Sequence, residues 1–118
     1  MHIMEEDACF HTFFVFYGGV MKENVYQARV IRRLHKEFPE SIVIKNDSSY
    51  IQGIPDILIL HGPRWAMIEV KVDADAYVQP NQEYYVRKLD SMSYATFLFP
   101  ENEEQVFHEL QLALCSRG

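Results

Sequence analysis

Apolar residues recur along most of the chain, and their spacing alternates between that of a helix and that of a strand. Apolar positions three and four residues apart predict helices, whereas short aliphatic runs bounded by Gly, Pro or polar residues predict strands. Pro39 ends the first helical pattern, and Pro80 and Pro100 stand where the later ones begin. The predicted elements are helix 22–38, strands 42–46, 54–60 and 65–71, helix 80–92, strand 94–99 and helix 100–115.

This order of elements predicts an α/β fold with a single domain over residues 21–118. Gly62 and Pro63 suit the turn of an antiparallel hairpin between the second and third strands. The strand at 94–99 follows a helix, so we expect a helical crossover into a mixed sheet flanked by helices, with an extra C-terminal helix. A chain of 118 residues, 48% of them hydrophobic, suffices for one core and is too short for two ordinary domains.

Three charged residues fall on the predicted hairpin where a sheet normally buries apolar side chains. Side chains alternate between the two faces of a strand, so Asp56 shares a face with Leu58, and Glu69 shares one with Lys71. Charges in such positions are costly unless they pair with each other or bind a metal. The hairpin is therefore the candidate functional site.

The residue types in this set favour a hard divalent cation. Carboxylate oxygens of Asp56 and Glu69, together with the backbone carbonyl of Val70, are ligands that suit Mg²⁺ or Mn²⁺. Such a cation polarises a phosphodiester and activates water, and Lys71 would lie beside the scissile phosphate or the attacking water. The predicted reaction is phosphodiester hydrolysis. The alternative is an ordinary surface Glu-x-Lys pair with an Asp at the start of a strand.

The sequence Gly53-Ile54-Pro55-Asp56 followed by Ile68-Glu69-Val70-Lys71 resembles the PD-(D/E)xK nuclease superfamily, and within it VRR-NUC-type domains most closely. The resemblance extends from Glu23 to Phe99. It implies a restriction-endonuclease-like αβββαβ core and a metal-dependent nuclease that acts on DNA ends, flaps or branched junctions. It also implies that Asp56 and Glu69 are metal ligands and that Lys71 is the catalytic lysine.

The same resemblance adds Glu23 and Gln82 to the candidate site. Such families use an acidic residue from the first core helix, and Glu23 is the candidate here. Its alternative role is to interact with the dipole at the helix N-terminus. Gln82 would lie near the catalytic carboxylates, with a solvated helix residue as the alternative. Val86 stands four residues later, where related nucleases with a Gln-xxx-Tyr box have Tyr.

The first predicted helix has one apolar stripe and one basic stripe. At 3.6 residues per turn, the stripe expected to pack on the sheet consists of Glu23, Gln27, Val30, Ile31, Leu34 and Phe38. The basic stripe suits phosphate contacts that position a nucleic acid without reading its bases, although a solvated helix face has the same pattern. The candidate DNA contacts are Arg29, Arg32, Arg33, Lys36 and, on the first predicted strand, Lys45.

The net charge of −6 argues against a wholly basic DNA-binding surface, because nucleic-acid-binding domains are commonly basic. Residues 1–20 contain Glu5, Glu6 and Asp7 and no Lys or Arg, so they supply three of the six excess negative charges. The charge balance therefore favours local basic patches over a wholly basic surface.

Residues 1–20 form a predicted N-terminal extension. Acidic residues precede its apolar run at 10–17, where a signal peptide would have basic ones, and the run is too short to span a bilayer. Translation that starts naturally at Met21 and a genuine extra strand or dimer arm are both open interpretations. Cys9 and Cys115 are too few for a disulfide framework. We expect a cytoplasmic protein without membrane association, assembled as a homodimer.

The leading hypothesis is a Mg²⁺-dependent DNA endonuclease. The second is a DNA-binding or assembly module that keeps the nuclease fold but no longer cleaves, and the intact Asp56, Glu69 and Lys71 argue against it. The third is an acidic protein-interaction domain, which only the net charge supports. Magnesium binding separates the first hypothesis from the other two.

Overall fold

The computed structural model describes residues 22–115, and the predicted extension at 1–20 lies outside them. The prediction of an α/β fold with a mixed sheet flanked by helices is confirmed, and so is the order of the elements. The elements are α1 (Glu23–Glu37), β1 (Ile42–Lys45), β2 (Ile57–His61), β3 (Arg64–Val70), α2 (Pro80–Met92), β4 (Tyr94–Leu98), a 3-10 turn (Pro100–Asn102) and α3 (Glu103–Cys115).

The four strands lie side by side in the order β1-β2-β3-β4. The β1–β2 and β2–β3 pairs are antiparallel, and β4 joins β3 in parallel after the crossover through α2. Gly62 in the hairpin turn has a φ of +59°, a left-handed conformation that glycine adopts without steric cost. In the β2–β3 register Ile57 is opposite Ile68, so Asp56, one residue before β2, falls opposite Glu69.

One face of the sheet carries the main core. Side chains of β2, β3 and β4 that alternate onto this face pack against α1 and α3, and most of them are fully buried. The core residues are Tyr26, Val30, Leu34, Phe38, Ile57, Ile59, Ala66, Ile68, Val70, Leu98, Val106, Phe107, Leu110 and Leu114. Helix α2 lies along β3 and β4, with Val86 and Leu89 buried outside this cluster.

Four of the six residues predicted for the buried stripe of α1 are buried, namely Gln27, Val30, Leu34 and Phe38, and the stripe departs from the prediction at its edges. Tyr26 is fully buried although the prediction omitted it, whereas Glu23 is exposed and Ile31 is only half-buried. The cause is α3, which packs beside α1: the Tyr26 hydroxyl donates a 2.6 Å hydrogen bond to Oε1 of Glu103, the first residue of α3. Periodicity within α1 alone could not predict on which side a neighbouring helix would lie.

Within residues 22–115, no helix is both long enough and apolar enough to cross a membrane.

Candidate metal centre

Three carboxylates converge where α1 begins, β2 begins and β3 ends. Glu23, Asp56 and Glu69 each present an oxygen, and these oxygens lie within 4.8 Å of one another. The β2–β3 register accounts for the Asp56–Glu69 pair, and the first residue of α1 adds Glu23 from a distant part of the chain. The structure therefore brings together the three acidic residues that the sequence singled out.

Asp56 is held by the backbone on both sides. Its Oδ2 accepts a 2.8 Å hydrogen bond from the N–H of Val70, so a side-chain carboxylate satisfies a backbone donor at the end of β3. Its own carbonyl accepts from the N–H of Asn46 at 2.8 Å, and the Asn46 amide donates to the carbonyl of Pro55 at 2.8 Å. These hydrogen bonds orient the Asp56 carboxylate independently of any ligand.

Glu69 is the most deeply buried member, with 1% of its surface exposed. Its Oε2 accepts a 3.0 Å hydrogen bond from Nε2 of Gln82. Its Oε1 is buried and has no amide, ammonium or hydroxyl donor within residues 22–115, while the Asp56 carboxylate is close enough to share a proton with Glu69. A buried carboxylate oxygen without a donor is costly in a folded protein, and a shared proton, a bound cation or a water would each relieve that cost.

Lys71 and Gln82 form the polar wall of the cluster. Lys71 is 7% exposed, and its Nζ lies 3.6 Å from Oε2 of Glu69 and donates to Oε1 of Gln82 at 3.0 Å. The same Gln82 oxygen accepts from the N–H of Gln79 at the start of α2. Gln82 therefore links the ammonium of Lys71 to the carboxylate of Glu69 and is itself oriented by the helix terminus.

Burial and mutual repulsion make these acids reluctant to ionise. Burial, followed by the nearby charge of Asp56, raises the pKa of Glu69 to about 8, while Lys71 acts in the opposite direction. Burial also raises the pKa of Asp56, against the hydrogen bond from Val70 and the charge of Lys71. Although Glu23 is exposed overall, partial desolvation of its carboxylate beside the cluster, and then the charge of Asp56, raise its pKa. A nearby cation would relieve this repulsion.

The residues fit a hard divalent cation. The donor set is made of carboxylate oxygens, which Mg²⁺ and Mn²⁺ prefer, and once Glu69 is ionised its Oε1 is an acceptor inside the set that no N–H or hydroxyl of the described residues occupies. Val70 lies at the end of β3 with its N–H engaged by Asp56, and its carbonyl is the predicted fourth oxygen. Lys71 supplies a fixed positive charge beside the same oxygens.

The predicted DNA contacts do not form one uniform stripe. Arg32 and Lys36 are exposed on α1, and Arg29 is half-buried. Lys45, exposed at the end of β1, is near enough for its charge to lower the pKa of Asp56. The structure separates Arg33 from the others, because its guanidinium faces α3.

The contacts of Arg33 explain this separation. Its guanidinium binds Glu37 at 2.6 Å and binds Glu103 and Glu104 at 2.7 Å each, and it lies 4.1 Å from the ring centre of Phe107. Arg33 therefore joins α1 to α3, and a phosphate would have to compete with three carboxylates for it.

Asn46 is the supporting residue that sequence reasoning missed. An Asn after a short strand is a common turn residue, and nothing in the linear pattern indicates that its amide reaches Pro55.

Comparisons of the chain with protein-family models, curated proteins and solved structures found no match. The functional assignment therefore rests on residue types and on the geometry of this cluster.

Proposed function

We propose that this chain is a Mg²⁺-dependent endonuclease that hydrolyses DNA phosphodiester bonds. The observation that supports it most directly is the convergence of three carboxylates around buried Glu69, whose Oε1 has no amide, ammonium or hydroxyl donor among the described residues. The PD-(D/E)xK resemblance points to the same residues, and the αβββαβ order is compatible with a restriction-endonuclease-like core. Branched or junction DNA is the substrate class that the resemblance favours.

In this proposal the acidic cluster and Lys71 have different roles. Asp56, Glu69 and Glu23, with the carbonyl of Val70, would hold the cation. Bound Mg²⁺ or Mn²⁺ would polarise the phosphodiester and lower the pKa of an attacking water. Lys71, oriented by Gln82, would stabilise the negative charge that develops on the phosphate or orient the attacking water.

DNA and a second copy of the chain are the partners in this proposal. Exposed Arg32, Lys36 and Lys45 would contact phosphates and position the DNA. A homodimer would present two sites to a two-stranded substrate, and β1, at the edge of the sheet, exposes the apolar side chains of Ile42 and Ile44. Sedimentation of the full chain with and without DNA would measure this assembly.

The test of the function is cleavage of duplex, flap and four-way DNA with Mg²⁺, compared with EDTA. We expect Asp56→Asn and Glu69→Gln to lower cleavage at least about a hundredfold, because each removes a charge that the cation needs while keeping the side-chain volume. Glu23→Gln measures the contribution of the third acid. Glu83→Gln, on the exposed surface of α2, is the matched control and should cleave normally.

Circular dichroism and thermal melting separate a chemical defect from a folding defect. Asp56→Asn and Glu69→Gln should both retain the native spectrum. Above pH 8, where Glu69 of the metal-free wild type is ionised, Glu69→Gln should melt no lower than the wild type, since it removes a buried charge. Full Mg²⁺-dependent activity in either variant would refute the site. DNA binding without cleavage by the wild type, in Mg²⁺ or Mn²⁺, would instead favour the inactive DNA-binding module.

A further inference from the structure

A depression of about 330 Å³ adjoins the acidic cluster. Its lining residues are Asn46, Asp47, Tyr50, Ile51 and Ile54, which we call the 46–54 groove. The groove and the cluster share a wall, because Asn46 is hydrogen-bonded to the carbonyl of Asp56 and Ile54 precedes Asp56 by two residues. A ligand in this groove would therefore lie next to the candidate site of hydrolysis.

Hydrogen bonds hold the outer turn of the groove. Oδ1 of Asp47 accepts from the N–H of Ser49 at 2.9 Å and from its hydroxyl at 2.6 Å. The carbonyl of Asp47 accepts from the N–H of Tyr50 at 3.1 Å. This arrangement is a local side-chain turn that presets the backbone on which Tyr50 stands.

The loop that carries the groove is packed against α2 at Gly53, between the lining residues Ile51 and Ile54. Gly53 is buried with a φ of +94°, and a Cβ at this position would lie 2.8 Å from the backbone carbonyl carbon of Asn81. Only glycine permits so close an approach in this conformation. Because Asn81 precedes Gln82, this loop contacts the same turn of α2 that orients Lys71.

Tyr50 is 85% exposed even though its backbone is held in place. A large aromatic ring on a preset turn is ready to stack with little loss of conformational freedom. Ile51 and Ile54 add apolar surface, Asn46 adds an amide, Asp47 adds a carboxylate that is bonded to Ser49, and exposed Lys45 precedes the groove directly in the chain. An aromatic wall, an apolar floor and a neighbouring cation match a nucleobase and its phosphate.

We propose that the 46–54 groove binds one unpaired nucleobase of the substrate, stacked on Tyr50, beside the scissile phosphate. This inference rests on the proposed nuclease function and specifies its substrate class. Bases of an intact duplex are already stacked on their neighbours, whereas a flap, fork or junction offers an unstacked base at low cost. The groove therefore selects DNA that is unpaired next to the cleavage position.

The test is metal-free binding of a forked DNA whose first unpaired nucleotide is the fluorescent base 2-aminopurine. Wild-type protein should quench the fluorescence by stacking. Tyr50→Ala should abolish the quenching and weaken binding of the fork about tenfold or more, the scale of one base–aromatic stack. Binding of the fully paired duplex should stay within about twofold. Tyr50→Trp should restore both the quenching and the affinity.

Two other exposed side chains serve as controls. Tyr84, 59% exposed, lines a separate depression on α2 with Glu83, Arg87 and Lys88, and Leu112 is 54% exposed on α3. Tyr84→Ala and Leu112→Ala should bind fork and duplex like the wild type. Equal losses on fork and duplex with Tyr50→Ala, or a fork-selective loss with Tyr84→Ala, would overturn the assignment of the groove.

Cleavage by the same proteins separates this inference from the function on which it rests. If no DNA is cleaved in Mg²⁺, the nuclease proposal fails, and the metal-free quenching still decides whether the groove takes a base. If forks are cleaved and Tyr50→Ala raises KM for the fork while kcat is unchanged, the groove is supported. If Tyr50→Ala cleaves forks with the KM of the wild type and quenches the fluorescence as the wild type does, the assignment of the groove is refuted and the nuclease proposal still stands.

Discussion

The ammonium of Lys71 is held by two groups with different consequences for chemistry. Oε1 of Gln82 accepts its hydrogen bond at 3.0 Å, and the carboxylate of Glu69 lies 3.6 Å away. The first contact orients the charge, and the second lowers the repulsion among the acids. Lys71 thus contributes a positive charge at the cluster without being a ligand itself.

We predict that Lys71→Ala lowers kcat about a hundredfold, the usual scale for one positioned proton donor or electrostatic stabiliser. Mg²⁺ affinity should be equal or higher, because a neighbouring positive charge is removed. Single-turnover cleavage and calorimetric Mg²⁺ titration measure the two effects separately. Lys88→Ala, an exposed lysine on α2, is the control. Weaker Mg²⁺ binding with unchanged kcat would reverse the roles of Lys71 and the acids.

For individual residues, the sequence predicted which side chains belong to the cluster better than it predicted the hydrogen bonds between them. Strand alternation put Glu69 and Lys71 on one face of their strand, since the period of two is strict, and the β2–β3 register then brings Asp56 opposite Glu69. The bridge through Gln82 depends on how α2 lies against β3, and that is a tertiary property. Gln82 and Glu23 were predicted as site residues from the family resemblance and not from the periodicity of the sequence.

Among the elements, α1 and α3 are joined by charges as well as by apolar packing. The buried carboxylate of Glu103 accepts from the Tyr26 hydroxyl and from the Arg33 guanidinium. The guanidinium of Arg33 lies over the ring of Phe107. Loss of Arg33 would leave the Glu103 carboxylate with one partner fewer in a mostly buried position.

We predict that Arg33→Met lowers the free energy of unfolding by about 1–3 kcal/mol, the cost of removing a charged partner from a buried polar group. Arg32→Met, one residue earlier and exposed, should change it by less than about 0.5 kcal/mol. Urea unfolding gives both values. A stability change for Arg33→Met as small as that of Arg32→Met would return Arg33 to the predicted DNA-contacting stripe.

The boundaries of the elements also show what the sequence can determine. Pro80 marked the start of α2, because its fixed φ suits the first helical turn. Pro100 was less informative: it opens the 3-10 turn, and α3 begins only at Glu103. Asp56 and Lys71 fall just outside β2 and β3, so the candidate chemistry lies where strand pairing stops.

For the whole molecule, the raised pKa of Glu69 links stability to pH and to metal. The ordinary pKa of a Glu is near 4.5, and the folded protein raises that of Glu69 to about 8. Between these values the folded state retains a proton that the unfolded state has released. The free energy of unfolding of the metal-free protein should therefore be highest below pH 4.5 as far as this group is concerned, and should fall as pH rises toward 8.

Mg²⁺ should reverse this trend, because it binds the ionised carboxylates and competes with their protons. We predict a larger increase in melting temperature on adding Mg²⁺ at pH 8 than at pH 5.5. Glu69→Gln should flatten the decline with pH and remove most of the increase due to Mg²⁺, whereas Glu83→Gln should behave like the wild type. Thermal melting at both pH values, with Mg²⁺ or EDTA, provides the measurement. An increase equal at both pH values, or one retained in Glu69→Gln, would show that the cation binds elsewhere and that Glu69 is buried for a reason unrelated to metal.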